Sequence, residues 1–122
     1  MTTAYATTPF INVLVWVKKK ENEAGYEVRC EPSAVKVMQH DTVLNYQIVE
    51  TYGQDIVFSG LQVVPEDLNQ ISNPSISQSG KLLTISDANT QCCSLSLLLE
   101  FTDKSDRVSF SHDPQVQNET SD

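Results

Sequence analysis

The stretch Gln91-Cys92-Cys93-Ser94-Leu95-Ser96-Leu97-Leu98-Leu99-Glu100-Phe101 decides the fold class. Read as extended chain, it sets Cys93, Leu95, Leu97 and Leu99 on one face and Ser94, Ser96, Leu98 and Glu100 on the other, because successive strand side chains point to opposite faces. Thr42–Thr51 repeats the pattern, with Leu44, Tyr46 and Ile48 on the apolar side and Val43, Asn45, Gln47 and Val49 opposite. Tyr26, Val28 and Cys30 alternate in the same way. Residues 10–19 are rich in β-branched and aromatic side chains, and the polar turn Glu21–Gly25 joins them to Tyr26–Cys30 as a hairpin.

Working outward, Glu31-Pro32-Ser33 interrupts pairing, because proline brings no N–H to a ladder. Ala34–Met38, Ile56–Phe58, Leu61–Val64, Leu82–Ser86 and Arg107–Ser111 complete the predicted strands. Residues 65–81 are the least regular stretch. No long helical period and no βαβ alternation occurs, so a parallel α/β sheet is disfavoured. About eight short strands at this spacing predict an all-β, two-sheet sandwich. The reading divides the chain into a leader (1–9), one domain (10–116) and a polar tail (117–122).

The chain has 122 residues, enough for one core. Its formal net charge of −8 argues against nucleic acid as a partner, since phosphate binding needs clustered Lys and Arg. Lys18-Lys19-Lys20, the one basic run, leads directly into Glu21 and Glu23 and reads as a solvated strand end. The apolar run Phe10–Val17 is too short for a membrane span and lacks a signal-peptide pattern. Three cysteines exclude a complete disulfide framework. Adjacent Cys92 and Cys93 point to opposite faces, so all three read as reduced thiols and the expected compartment is the cytoplasm.

Candidate chemistry is sparse. His40 and His112 sit in no nucleophile motif, and no Gly-x-Ser-x-Gly occurs. The spacing of Cys92, Cys93, His112 and Met38 does not fit a blue-copper site, and no Cys-x-x-Cys pair suggests zinc. Two oxygen-rich turns, carrying Asp87 and Asn89 and then Asp103 and Asp106, are the calcium candidates if they meet at one end of the sandwich. Such residues also serve hairpin turns by capping local backbone. Trp16, on an apolar strand, is expected in the core, and the tyrosines show no stacking stripe. No catalytic residue and no cofactor is predicted.

Two dipeptides punctuate the strands: Glu31-Pro32 and Asp113-Pro114. The segments Glu31-Pro32-Ser33-Ala34-Val35-Lys36-Val37 and His112-Asp113-Pro114-Gln115-Val116-Gln117-Asn118 resemble those of the DP-EP family of small bacterial proteins. That resemblance implies an immunoglobulin-like antiparallel β-sandwich, of about seven to nine strands, with no established activity. Each carboxylate reads as a strand-end cap; a joint acidic site of Glu31 and Asp113 is the functional alternative. The expected function is a non-enzymatic module for interaction with another protein or for self-association, with the Ser94, Ser96, Leu98 and Glu100 face as one candidate surface. The alternative is a small-ligand domain, for carbohydrate or calcium, using the acidic loops.

Overall fold

The computed structural model describes residues 8–119. The expected leader therefore lies mostly outside the described residues. Ten strands run in the order β1 (Phe10–Lys19), β2 (Tyr26–Glu31), β3 (Ala34–Val37), β4 (Thr42–Glu50), β5 (Ile56–Val64), β6 (Ser75–Ile76), β7 (Leu82–Asp87), β8 (Cys93–Asp103), β9 (Val108–His112) and β10 (Gln115–Asn118) among the described residues. A 3-10 turn, Glu66–Leu68, interrupts the irregular stretch between β5 and β6.

Two sheets result. The first has the order β2-β1-β4-β7-β6; the second has β3-β10-β8-β5, with β9 also paired to β8. The leucines of the opening stretch do what their alternation requires. Leu95, Leu97, Leu99 and Phe101 are buried and meet Val13, Val15, Val17, Leu44, Tyr46, Ile48, Leu83 and Ile85 from the other sheet in one core. Fully burying such a side chain contributes roughly 1.5–3 kcal/mol, which makes strand register hard to shift.

The sheets are mixed, which corrects the antiparallel expectation. β1 pairs with β4 in parallel, and β3 pairs with β10 in parallel. After the β1–β2 hairpin the chain crosses at Pro32–Ser33 to lay β3 in the second sheet. It then returns, and β4 lies along the free side of β1 in the same direction. Alternation reveals which face of a strand is buried, and not which neighbour it takes.

Three further expectations change. Ile56–Phe58 and Leu61–Val64 are one strand, with a register shift between Phe58 and Gly60. Gln117 and Asn118, read as tail, belong to β10, which lies between β3 and β8 inside the second sheet. Trp16 lies on the outward face of β1, because Val15 and Val17 on either side of it occupy the core. It is half-buried there under the Arg29 guanidinium, 4.0 Å from the ring centroid, a cation–π contact across the β1–β2 hairpin.

Gly80 shows how closely the turn before β7 approaches β5. Its φ is +78°, and a Cβ there would stand 2.6 Å from Val57 Cβ. At Gly60 an added Cβ would meet the end of the flexible Glu100 side chain, which can swing away. Gly80→Ala is therefore expected to destabilise the fold by about 2–4 kcal/mol, combining left-handed strain with overpacking, and Gly60→Ala by less than about 1 kcal/mol. Urea unfolding of the two variants checks the contrast.

Candidate functional site

The two acidic turns stand at opposite ends of β8, which runs from Cys93 to Asp103. At about 3.3 Å per residue those ends are roughly 30 Å apart. The structure thus does not bring Asp87 and Asn89 together with Asp103 and Asp106.

At the Asp103 end the carboxylate is enclosed by donors. Tyr26 Oη donates to Asp103 Oδ2 at 2.6 Å, Gln54 Nε2 to the same oxygen at 2.8 Å, and the Ser105 N–H to Oδ1 at 3.0 Å. Burial alone would raise this carboxyl, but the bonds from Tyr26, Gln54 and the backbone outweigh it and hold Asp103 below the usual range. Burial and the Asp103 bond push Tyr26 up to about 12. Asp106 pairs with Lys19 on the surface. Tyr26 also stacks on Phe110 with ring centroids 3.9 Å apart; Phe101 lies 5.2 Å from Phe110, and Phe58 5.2 Å from Phe101. These four rings come from β2, β9, β8 and β5, so sequence scanning misses the stack.

At the other end Asp87, Asn89 and Asn118 are fully inaccessible, and Gln70 is nearly so. Asn118 Nδ2 donates to Asp87 Oδ1 at 2.8 Å, and the Asn89 N–H to the same oxygen at 3.0 Å. Asn89 Nδ2 reaches the carbonyls of Val37, Gln39 and Glu119 at 3.2–3.3 Å. One amide thus bridges the ends of β3 and β10 to the turn after β7. Gln70 Oε1 accepts the Thr90 N–H at 2.8 Å, fastening the loop before β6 to the same knot.

The two proline dipeptides also converge. Ala34 pairs with Gln115 and Val37 with Asn118, so β3 and β10 run side by side from heads marked by Glu31-Pro32 and Asp113-Pro114. Pro114 is buried, and its carbonyl accepts the Leu97 N–H at 3.0 Å, keeping β9 and β10 aligned along β8. Glu31 remains at the end of β2, paired with Leu14, and both motif carboxylates are exposed. No hydrogen bond or ion pair joins Glu31 to Asp113 among the described residues.

The outward face of the second sheet is a polar lattice. Ser94 donates to Gln117, Gln115 Nε2 to Ser96 Oγ at 2.7 Å, and Gln62 Nε2 to Glu100 Oε2 at 3.3 Å. Leu98 is the half-buried apolar residue in the row Ser94, Ser96, Leu98, Glu100. The edge of that sheet is different. β5 is its terminal strand, and its first half is covered: the Phe58 N–H donates to the Gly80 carbonyl at 2.8 Å, and Lys81 Nζ to that of Ile56. Beyond the shift at Gly60, no backbone bond reaches the outer edge of Leu61–Val64 among the described residues. Alongside it lies a groove of about 730 Å³, walled by Leu61, Val63, Leu95, Ile71 and Pro74, with Glu66 and Asp67 among its acidic lining.

His112, on β9, is half-buried; burial lowers its pKa, opposed by the Asp113 charge. None of the three cysteines is in a disulfide, and burial pushes the Cys30 thiol up to about 11, which makes it inert at neutral pH. No cluster of three His, Cys, Asp or Glu suited to a metal is found among the described residues. Nor is any described helix long and apolar enough to cross a membrane.

These features define a small all-β protein of two mixed sheets, with proline-headed parallel strands, two enclosed carboxylates and an open strand edge beside a groove. The chain belongs to the DP-EP family, whose model matches residues 9–120, nearly its whole length. No curated protein matches it significantly.

Asp103 supplies a pH test. Its folded pKa lies below the ordinary value of 3.8, so its stabilisation is present above about pH 4 and is lost as pH falls through the folded value. Asp103→Asn is expected to cost about 2 kcal/mol at pH 7. The gap from the native chain should shrink on acidification below about pH 4, measured by urea unfolding at pH 7 and pH 3.

Proposed function

We propose that this protein is a non-enzymatic interaction module on an immunoglobulin-like sandwich, working in the cytoplasm, and that it takes its partner as an extended segment along the open edge of β5. The observation that carries this reading is the unpaired Leu61–Val64 edge lying over the groove. An exposed strand edge is a template for a further strand: main-chain bonds give affinity, and pockets beside the edge select alternate side chains. Its size suits a short extended segment. Val64, 57% exposed, adds apolar surface at the rim.

The lining also indicates the partner's chemistry. Glu66 and Asp67 line the groove, and among the described residues no Lys, Arg or His does. A segment alternating apolar and basic side chains would place its apolar residues against Leu61, Val63 and Ile71 and its cations beside the carboxylates. A second copy of this chain would instead bring a second Glu66 and Asp67 to the same place, on a molecule already at −8. This favours a different chain over self-pairing. Three cysteines outside any disulfide suit a reducing compartment.

The test uses a fluorescein-labelled alternating lysine–valine hexapeptide, with an alternating glutamate–valine hexapeptide as control. The expected result is saturable binding to the full chain at low salt, with slowed amide exchange confined to the Leu61–Val64 edge. Glu66→Lys/Asp67→Lys should weaken it about tenfold or more, a loss near 1.4 kcal/mol. Equal binding of both peptides, or no change at Leu61–Val64, contradicts the proposal.

A further inference from the structure

The buried knot at the Asp87 end has more acceptors than donors. Asp87 Oδ1 receives two hydrogen bonds, from Asn118 Nδ2 and the Asn89 N–H, while Asp87 Oδ2 receives none. Asn89 spends its amide hydrogens on three backbone carbonyls, and Asn118 spends its own on Asp87 and, at 3.4 Å, on Gln70 Oε1. Asn89 Oδ1 and Asn118 Oδ1 are therefore also bare. All three oxygens belong to side chains with no accessible surface; Asn118 bonds Asp87 side chain to side chain, and Asn89 bonds it through its backbone N–H. Among the described residues, the hydrogen bonds of these three side chains come from amides and backbone N–H groups.

A bare buried acceptor costs about 1–3 kcal/mol, and an uncompensated buried carboxylate costs more. One water molecule has two hydrogens for three oxygens and leaves the charge in place. A metal cation meets several oxygens at once and neutralises the carboxylate. We propose that Asp87, Asn89 and Asn118 hold a hard, oxygen-preferring metal cation through these three oxygens. Carboxylate and amide oxygens are the ligands such ions take, and the soft Cys93 thiol nearby is not needed. A single carboxylate gives the site a charge of −1, which suits sodium better than calcium. The inference is independent of the β5 groove. It keeps half of the sequence-based calcium set, Asp87 and Asn89, and replaces Asp103 and Asp106 with Asn118, which pattern reading assigns to the tail.

The cation would lock the point where Asn89 gathers the ends of β3 and β10, so its effect is read as stability. The full chain is unfolded and refolded in choline chloride, then in sodium chloride and in choline chloride with calcium, all at one ionic strength. The expected result is a Tm higher by roughly 5 °C with saturating sodium than with choline. Asp87→Asn should abolish the difference between salts. Asn118→Asp, which adds a second carboxylate, should make the fold respond to calcium. A calcium response in the native chain with none to sodium also supports the cation site and assigns it to a divalent ion. The same Tm in all three salts overturns the proposal, as does an Asp87→Asn chain that is more stable than the native one at pH 7 in sodium. If Asp87→Asn fails to fold, the salt series on the native chain decides alone.

Discussion

The place of β3 in the second sheet depends on the double pairing of β10. This short strand lies between β3 and β8, parallel to one and antiparallel to the other, and without it β3 has no neighbour in its sheet. Parallel partners must enter from the same end, so two distant chain segments have to reach one place in one direction. The prolines of Glu31-Pro32 and Asp113-Pro114 stand at that entrance. Each halts the preceding pairing and releases the chain into a new strand. At the exit Asn89 ties the Val37 and Glu119 carbonyls together, and the Glu119 N–H bonds Val37 directly at 2.8 Å. The two family dipeptides and the buried knot are thus opposite ends of a single device.

Much of the fold was legible in the sequence because burial imposes a period of two. The inward sets of β4 and β8 follow directly from their alternation, and the β1–β2 hairpin follows from its polar turn. β10 escaped because Val116 is its lone apolar residue; its neighbours on the inward and outward faces are Asn118, Gln115 and Gln117. A strand inserted through hydrogen bonds to both sides needs little hydrophobic signature of its own. The parallel pairs escaped for a different reason, since pairing partners leave no mark in a single strand. Trp16 was misplaced because a run of apolar residues hides which of them face outward.

The candidate sites were legible only in fragments. Oxygen-rich turns at Asp87–Asn89 and Asp103–Asp106 are visible in the sequence, but their separation along β8 is not. Nor is the recruitment of Asn118, Gln70, Tyr26 and Gln54, which come from segments far apart in the chain. The open half of β5 follows from a local irregularity. The register shift at Gly60 divides the strand, and the turn around Gly80 covers the part before it. After the shift, the 65–74 stretch turns to the β7 end, where Ile71 bridges Asp87, and leaves a groove with an acidic lining beside β5. Edge, groove and charge there are what support the proposed docking of a basic extended segment.

The central claim is that β10 is an interior strand, clasped at both ends. Amide hydrogen exchange of the native chain tests it most directly, residue by residue. The account predicts that the hydrogen-bonded amides of Val116, Gln117 and Asn118 exchange as slowly as those of Leu95 and Leu97, through global unfolding. Exchange of these three at the rate of unpaired chain, with β8 still protected, would contradict it.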